Sequence, residues 1–121
     1  MRILLVEDEA IVRFYLKTTL MSINGEVVDA KSGDEALEQI YKNGPFDLLI
    51  TDIKMKGIDG FDLIDKLDEM GLDIEIIVES AYVDEDERMH KYKERVKAFI
   101  KKPIDLNVLE AIVRDSDANH H

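Results

Sequence analysis

Two kinds of apolar pattern alternate along this chain: short continuous runs of Ile, Leu and Val, and longer segments in which apolar residues recur every three or four positions. Continuous runs are typical of strands buried on both faces, as in a parallel sheet, because a half-exposed strand alternates apolar with polar residues. Five strands are therefore predicted, at residues 3–6, 26–30, 48–51, 75–79 and 98–101.

The segments that follow these runs predict five helices. In the first, apolar residues and threonines recur at helical spacing: Ile11, Phe14, Tyr15, Thr18 and Thr19. The second begins with a capping box at Ser32 and ends before Pro45, because proline disfavours helix at the preceding residue. The third ends at Gly71, the fourth starts at residue 84 and the fifth begins near residue 105.

Polar residues with matched chemistry follow four of the five predicted strands. They are Glu7 and Asp8 after the first strand, Asp52 after the third, Ser80 after the fourth and Lys102 after the fifth. Parallel strands end at one edge of the sheet, where ligands of open α/β folds bind, so we expect these side chains to meet. The second strand contributes none of them, as expected for an outermost strand.

The alternation of strands and helices predicts one (βα)5 domain. Right-handed crossovers place helices on both faces of the sheet, and a flavodoxin-like, doubly wound α/β fold with parallel strand order 2-1-3-4-5 satisfies this rule. In that order the first and third strands are neighbours, which brings Glu7, Asp8 and Asp52 together.

This grouping of charges predicts a specific chemistry. Three crowded carboxylates repel one another, and Mg²⁺ is the expected compensating ion because it commonly takes one or two carboxylates, several waters and a phosphate oxygen. A carboxylate can also accept a phosphoryl group as an acyl phosphate, and Asp52 at the end of the central strand is the expected nucleophile. Lys102 and Ser80 would then bind the phosphoryl oxygens.

Composition narrows the classes of function. The chain of 121 residues suits one domain, and residues 118–121 resemble the start of an expression tag, which leaves residues 1–117 as the domain. The net charge of −11 disfavours nucleic acid and anionic membranes as partners. There is no cysteine, and no apolar run approaches the roughly 18 residues of a membrane span, so a cytoplasmic protein is expected.

Four short motifs occur in order along the chain: Val6-Glu7-Asp8-Glu9, Thr51-Asp52-Ile53-Lys54-Met55 with Gly60 later, Ser80-Ala81, and Lys101-Lys102-Pro103. Each motif is weak alone, but the ordered set with these intervals is specific and covers essentially the whole chain. The set resembles the receiver domain of response regulators in two-component signalling, of the kind found in chemotaxis regulators.

The resemblance implies a phosphorylation switch that catalyses only its own phosphoryl transfer and dephosphorylation, and not a turnover enzyme. Asp52 would receive the phosphoryl group from a histidine kinase or a phosphotransfer protein. The same carboxylate would hold Mg²⁺ together with Asp8 and the backbone carbonyl of Lys54. Glu7 would act through metal-bound water.

The resemblance also implies how phosphorylation is read out. Ser80 and Lys102 would bond the phosphoryl oxygens, and Phe99 would swing inward when Ser80 moves. A cis peptide bond would precede Pro103. The surface formed by the fourth helix, fifth strand and fifth helix would contact an effector domain or a downstream protein, or form a phosphorylation-dependent homodimer.

Seven of the sixteen Lys and Arg residues lie between residues 88 and 102. In so acidic a chain this is a basic patch, and two interpretations stay open. It is either a solvated helix face or part of the partner-docking surface that the resemblance implies.

Several positions depart from the family pattern. Lys56 stands where proline is common, and Glu79 stands where an apolar residue is common. Lys54 and Tyr82 each lie two residues past a site residue, flanking the path of an attacking water, so we expect them to influence the lifetime of the phosphate.

Two other functions stay open at this point. One is a pseudo-receiver that binds partners without phosphate, against which the intact set of acids, serine and lysine argues. The other is a phosphatase of the haloacid dehalogenase type, which is expected to carry a second acid two residues after its nucleophile. Lys54 occupies that place.

Overall fold

The computed structural model describes residues 1–23, 25–81 and 88–119. Strands and helices alternate along these residues, as the sequence predicts. In chain order they are β1 (Ile3–Val6), α1 (Ala10–Ile23), β2 (Val27–Ala30), α2 (Gly33–Asn43), β3 (Leu48–Asp52), α3 (Gly60–Glu69), β4 (Glu75–Ser80), α4 (Met89–Tyr92), β5 (Ala98–Lys101) and α5 (Leu106–Ala118). Within the described residues, no helix is both long and apolar enough to cross a bilayer.

The strands form one parallel sheet in the order β2-β1-β3-β4-β5, which confirms the predicted fold class. β3 and β4 each extend one residue further than predicted, to Asp52 and Ser80. The strands continue there because Asp52 pairs with Glu79, and Ser80 pairs with Lys101. Two of the predicted site residues are therefore held by strand pairing and do not lie in loops. β2 begins one residue later than predicted, at Val27.

The two faces of the sheet pack into separate cores. Leu4 and Leu49 belong to the core beneath α2 and α3, whereas Leu5 and Ile50 belong to the core beneath α1 and α5. Successive side chains of a strand point to opposite faces, so alternate residues along each strand join the same core. The same alternation decides which side chains at the strand ends can meet.

The first helix forms as predicted, but its predicted apolar stripe faces away from the sheet. Ile11, Phe14 and Tyr15 are 73%, 67% and 62% exposed. Leu16 and Leu20, one turn apart and on roughly the opposite side of the helix, pack into the core instead. α1 therefore leaves an aromatic surface uncovered within the described part of the chain.

The helix ends follow local polar signals. The backbone N–H of Glu35 donates to the Ser32 hydroxyl, so the predicted cap of α2 is confirmed, and α2 ends at Asn43 as expected. Asp105 caps α5 by accepting from backbone N–H groups of the first turn. α3 ends two residues before the predicted Gly71. The predicted start of the fourth helix, at residue 84, lies outside the described residues.

Candidate functional site

Three carboxylates lie in one row across neighbouring strands. Val6 at the end of β1 pairs with Thr51 of β3, so the next residues, Glu7 and Asp52, lie opposite each other. Asp52 in turn pairs with Glu79 of β4. The residue two positions before each acid is apolar and belongs to the core under α1 and α5. Residues two apart on a strand point to the same face, so the side chains of all three acids point to that face of the sheet. Glu7 and Glu79 are fully buried, and Asp52 is 6% exposed.

Lys102 brings a positive charge to this row. Its Nζ lies 2.6 Å from Oδ2 of Asp52 and 3.5 Å from Oε1 of Glu7. Burial lowers the pKa of Lys102, but the hydrogen bond to Asp52 and the charges of the nearby carboxylates outweigh it, so the pKa is raised. The backbone N–H of Lys102 donates to the carbonyl oxygen of Ser80 at 2.9 Å, which joins the ends of β4 and β5.

Carboxylate oxygens of Glu7, Asp8 and Asp52 form a cluster suited to a hard cation. One oxygen from each residue lies within 4.8 Å of the other two. Asp8 is exposed whereas the other two acids are buried, so the cluster is open to solvent on the Asp8 side. An acid-rich set of oxygen donors that leaves room for water fits the coordination preference of Mg²⁺.

Burial acts on the pKa of the two fully buried acids, Glu7 and Glu79. Burial raises the pKa of Glu7. It also raises the pKa of Glu79, to about 9, with the hydrogen bond to Glu7 and the charge of Glu7 acting in the same direction. Glu79 is therefore neutral at pH 7, and the row holds less negative charge than its three acids suggest.

The loop after Asp52 folds back against the strand end. The backbone N–H of Gly60 donates to the carbonyl oxygen of Ile53 at 2.7 Å, and the hydroxyl of Thr51 donates to the carbonyl oxygen of Asp52 at 2.9 Å. A side chain at Gly60 would clash with the same Asp52 carbonyl, so only glycine allows this close approach. The loop thereby holds Asp52 in place.

The remaining predicted site residues take different places. Ser80 is buried at the end of β4, and the predicted cis peptide bond before Pro103 is confirmed. Phe99 is half-buried and packs against the core under α2 and α3, on the opposite face of the sheet from the carboxylate row. Lys54 is exposed in the loop after β3. Tyr82 lies outside the described residues.

Two residues near the site were not assigned to it from the sequence. Arg13 donates from Nη1 to the carbonyl oxygen of Glu7 at 2.8 Å, and its Nε lies 3.4 Å from Oδ2 of Asp29. No local motif signals this contact, because its partners are a backbone carbonyl and a residue of β2. From the sequence, Glu79 was noted only because an apolar residue is common at its position. Ile77 lies two residues earlier on the same strand and belongs to the core, which already indicates that the Glu79 side chain also points inward.

Comparison with known proteins decides the family. Residues 3–114 match the family described as the response regulator receiver domain. The chain belongs to this family. The matched range contains the acidic cluster, Ser80 and Lys102, and it places this receiver domain in two-component signalling rather than among phosphatases of the haloacid dehalogenase type.

Curated relatives of this receiver domain are longer regulators. It is 36% identical over 115 residues to the response regulator MprA of Mycobacterium leprae, covering 94% of this chain and 50% of that protein. It is 26% identical over 117 residues to the DNA-binding transcriptional regulator NtrC of Klebsiella pneumoniae, covering 97% of this chain and 24% of that protein. The chain thus spans half or less of the length of these two relatives.

Solved structures show the same fold. The N-terminal domain of an uncharacterised protein from Wolinella succinogenes is 30% identical, with a TM-score of 0.91 over 99% of this chain and 96% of that one. The response regulator TrrA of Thermotoga maritima, solved in complex with Mg²⁺ and BeF, is also 30% identical. Its TM-score is 0.80 over 95% of this chain and 97% of that one.

Proposed function

We propose that this receiver domain accepts a phosphoryl group on Asp52 from the phosphohistidine of a histidine kinase or a phosphotransfer protein. The observation that carries the proposal is the position of the Asp52 carboxylate. It lies at the end of the central strand, 2.6 Å from the ammonium of Lys102 and within the oxygen cluster of Glu7 and Asp8. An anionic nucleophile beside a fixed cation suits attack on an anionic phosphoryl group.

The transfer step is a displacement at phosphorus. A carboxylate oxygen of Asp52 forms the new P–O bond, and the P–N bond to the donor imidazole breaks with its electron pair on the nitrogen. The Lys102 ammonium, already hydrogen-bonded to Asp52, lies where it can neutralise charge on a phosphoryl oxygen. The Ser80 hydroxyl is proposed as a second donor to that group.

The acidic cluster is proposed to bind Mg²⁺. Asp8, Asp52 and the backbone carbonyl of Lys54 would hold the ion, with Glu7 acting through a metal-bound water. When bound, the ion supplies positive charge that offsets the charge of the acids and of the transferred group. The fit rests on the all-oxygen donor set, whose atoms lie within 4.8 Å of one another.

The output is proposed to pass through the surface of α4, β5 and α5, with Ser80 and Phe99 as the moving residues. Within the described residues, four of the seven basic residues near this surface have acidic partners: Arg88 with Asp59, Arg95 with Asp68, Lys97 with Asp115, and Lys102 with Asp52. Lys91, Lys93 and Lys101 are exposed on it. An effector domain, a downstream protein or a second copy of this domain is the proposed partner.

Acetyl phosphate with Mg²⁺ tests the phosphoacceptor role. Wild type is expected to gain the mass of one phosphoryl group, and Asp52→Asn is expected to gain none because an amide is not a nucleophile here. Asp73→Asn is the matched control, since Asp73 is an exposed aspartate before the opposite end of β4. An unmodified wild type would support the pseudo-receiver, and equal labelling of wild type and Asp52→Asn would place the phosphate elsewhere.

The lifetime of the phosphate is a separate part of the proposal. Lys54 and Tyr82 are proposed to influence it, because both follow a site residue by two positions. Substituting each by alanine and following loss of the phosphoryl mass over time measures that influence, and unchanged decay in both variants would contradict it.

A further inference from the structure

Arg13 of α1 links the loop that carries Glu7 and Asp8 to the neighbouring strand β2. Its Nη1 donates to the backbone carbonyl oxygen of Glu7 at 2.8 Å and lies 3.5 Å from the carbonyl oxygen of Asp8. Its Nε lies 3.4 Å from Oδ2 of Asp29. The planar guanidinium can hold both partners at once, because it presents separate N–H donors in a fixed fork.

The carbonyl that Arg13 holds belongs to the peptide group between the two acids. The atoms of a peptide group lie in one plane, so a hydrogen bond to the Glu7 oxygen also limits the orientation of the Asp8 backbone. The other side of Glu7 is held as well, because its N–H donates to the carbonyl oxygen of Ala30 at 3.0 Å. The buried acid and the exposed acid of the cluster are thus attached to one restrained segment of backbone.

Asp29 anchors the guanidinium on β2. It pairs in register with Leu5, which belongs to the core under α1 and α5, so the Asp29 side chain points toward α1. The same carboxylate also pairs with Lys17, whose Nζ lies 2.8 Å from its Oδ1. Lys17 follows Arg13 by about one helical turn on the same face of α1. Within the described residues, both cations contact Asp29, but only Arg13 connects it to the loop.

We propose that Arg13 is a positioning residue of the site: anchored on Asp29, it fixes the peptide group that joins Glu7 and Asp8, so that both acids are directed toward one cation before the cation binds. Arg13 contacts neither the cation nor the phosphate in this proposal; it acts through the backbone of the two acids. The inference rests on the proposed binding of Mg²⁺ by the acidic cluster, and it adds the residue that orders the metal-binding loop.

The sign of the effect on Mg²⁺ affinity distinguishes positioning from charge. Removing a nearby cation by itself strengthens binding of Mg²⁺, because it lowers electrostatic repulsion. Removing a group that orders the ligand residues weakens binding, because the loop must then lose its freedom when the ion binds. A merely structural role would lower the stability of the fold and leave the affinity of the folded protein unchanged.

Two substitutions on the same face of α1 test the proposal. Arg13→Met removes the contact with the Glu7 carbonyl and an ion pair with Asp29, whereas the matched control Lys17→Met removes only an ion pair with Asp29. Mg²⁺ affinity is measured by titration calorimetry without a phosphodonor, and folding is checked by thermal unfolding in EDTA. We expect Arg13→Met to bind Mg²⁺ about tenfold more weakly than wild type, at the lower end of the range found when a group that supports a metal ligand is removed. Lys17→Met is expected to bind Mg²⁺ as tightly as wild type or more tightly.

Arg13→Lys keeps the charge and most of the side-chain stem, so it remains informative if Arg13→Met fails to fold. Lysine has a single nitrogen in place of the fork, so this variant is also expected to bind Mg²⁺ more weakly than wild type. Binding equal to that of wild type in either folded variant of Arg13 would overturn the inference. Equally weak binding by Lys17→Met would overturn it too, because the effect would then come from ion pairing with Asp29 in general.

Wild type is titrated with Mg²⁺ and treated with acetyl phosphate in parallel, which separates failure of the proposed function from failure of the inference. A wild type that neither binds Mg²⁺ saturably nor gains a phosphoryl group overturns the proposed function and the inference with it. A wild type that does both, with Mg²⁺ binding unaffected in Arg13→Met, overturns the inference alone.

Discussion

At the scale of single residues, Lys102 has two competing roles. Its ammonium lies 2.6 Å from Asp52 and 3.5 Å from Glu7, so it neutralises the carboxylate row in the absence of a metal ion. The same charge is hydrogen-bonded to the proposed nucleophile, Asp52, and would repel an approaching cation. Under the proposed function, a lysine in this position would oppose metal binding while it favours capture of the phosphoryl group.

Substituting Lys102 should separate these two roles. We expect Lys102→Ala to bind Mg²⁺ more tightly than wild type, because a competing cation has been removed from Asp52. Phosphorylation by acetyl phosphate should slow by at least about tenfold, because a fixed donor to the phosphoryl oxygens is lost. Titration calorimetry and the rate of mass increase measure the two effects.

Lys101→Ala provides the control, since Lys101 is the adjacent but exposed lysine. It should change neither quantity by much. Weaker Mg²⁺ binding in Lys102→Ala would show that the ammonium supports the cluster rather than competing with a cation.

At the scale of secondary-structure elements, the short helix α4 is held to α3 by aromatic and polar contacts. The rings of Phe61 and Tyr92 stack at 4.5 Å, and the Tyr92 hydroxyl lies 2.8 and 2.9 Å from the two oxygens of Asp65. Arg88 pairs with Asp59 at 2.7 Å, just before α4 begins. α4 has only four residues, so these contacts rather than helix propensity determine its position.

Tyr92→Phe tests this account, since it keeps the ring and removes the hydroxyl. Loss of the hydrogen bond to a carboxylate should lower the free energy of unfolding by about 1.5 to 3 kcal/mol. The amide hydrogens of α4 should also exchange faster, because the helix is anchored less firmly. Urea unfolding and hydrogen exchange give the two measurements.

Tyr41→Phe is the matched control, because Tyr41 is 88% exposed and its hydroxyl is free to be hydrated. Unchanged exchange in α4 of Tyr92→Phe would mean that the stacked rings alone hold the helix.

The elements also show which features could be predicted from the sequence. Continuous apolar runs predicted every strand to within one residue at either end, since strands buried on both faces have a strong local signal. The sequence does not show which side of α1 is buried, because both sides of that helix carry apolar residues. Helical periodicity alone does not indicate which of the two sides packs against the sheet. The alignment of Glu7, Asp52 and Glu79 in one row depends on strand register, which long-range pairing sets and no local motif encodes.

At the scale of the whole molecule, charge is distributed unevenly. The chain has a net charge of −11, yet part of its acidic excess is concentrated in the cluster at the carboxyl end of the sheet. Several basic residues are paired with acids near α4 and β5 and do not offset that cluster. A divalent cation bound there stabilises the native state, because the unfolded chain does not hold the three carboxylates together.

Mg²⁺ should therefore increase the free energy of unfolding. At a free concentration ten times the dissociation constant the gain should be about 1.4 kcal/mol. Asp8→Asn should lose most of this gain, because the exposed Asp8 is the acid of the cluster most accessible to an arriving ion. Urea unfolding with MgCl₂, compared with NaCl at equal ionic strength, separates site binding from general screening of the negative charge. Asp73→Asn should respond to Mg²⁺ as wild type does, and an equal response in Asp8→Asn would mean that the ion binds elsewhere on this acidic surface.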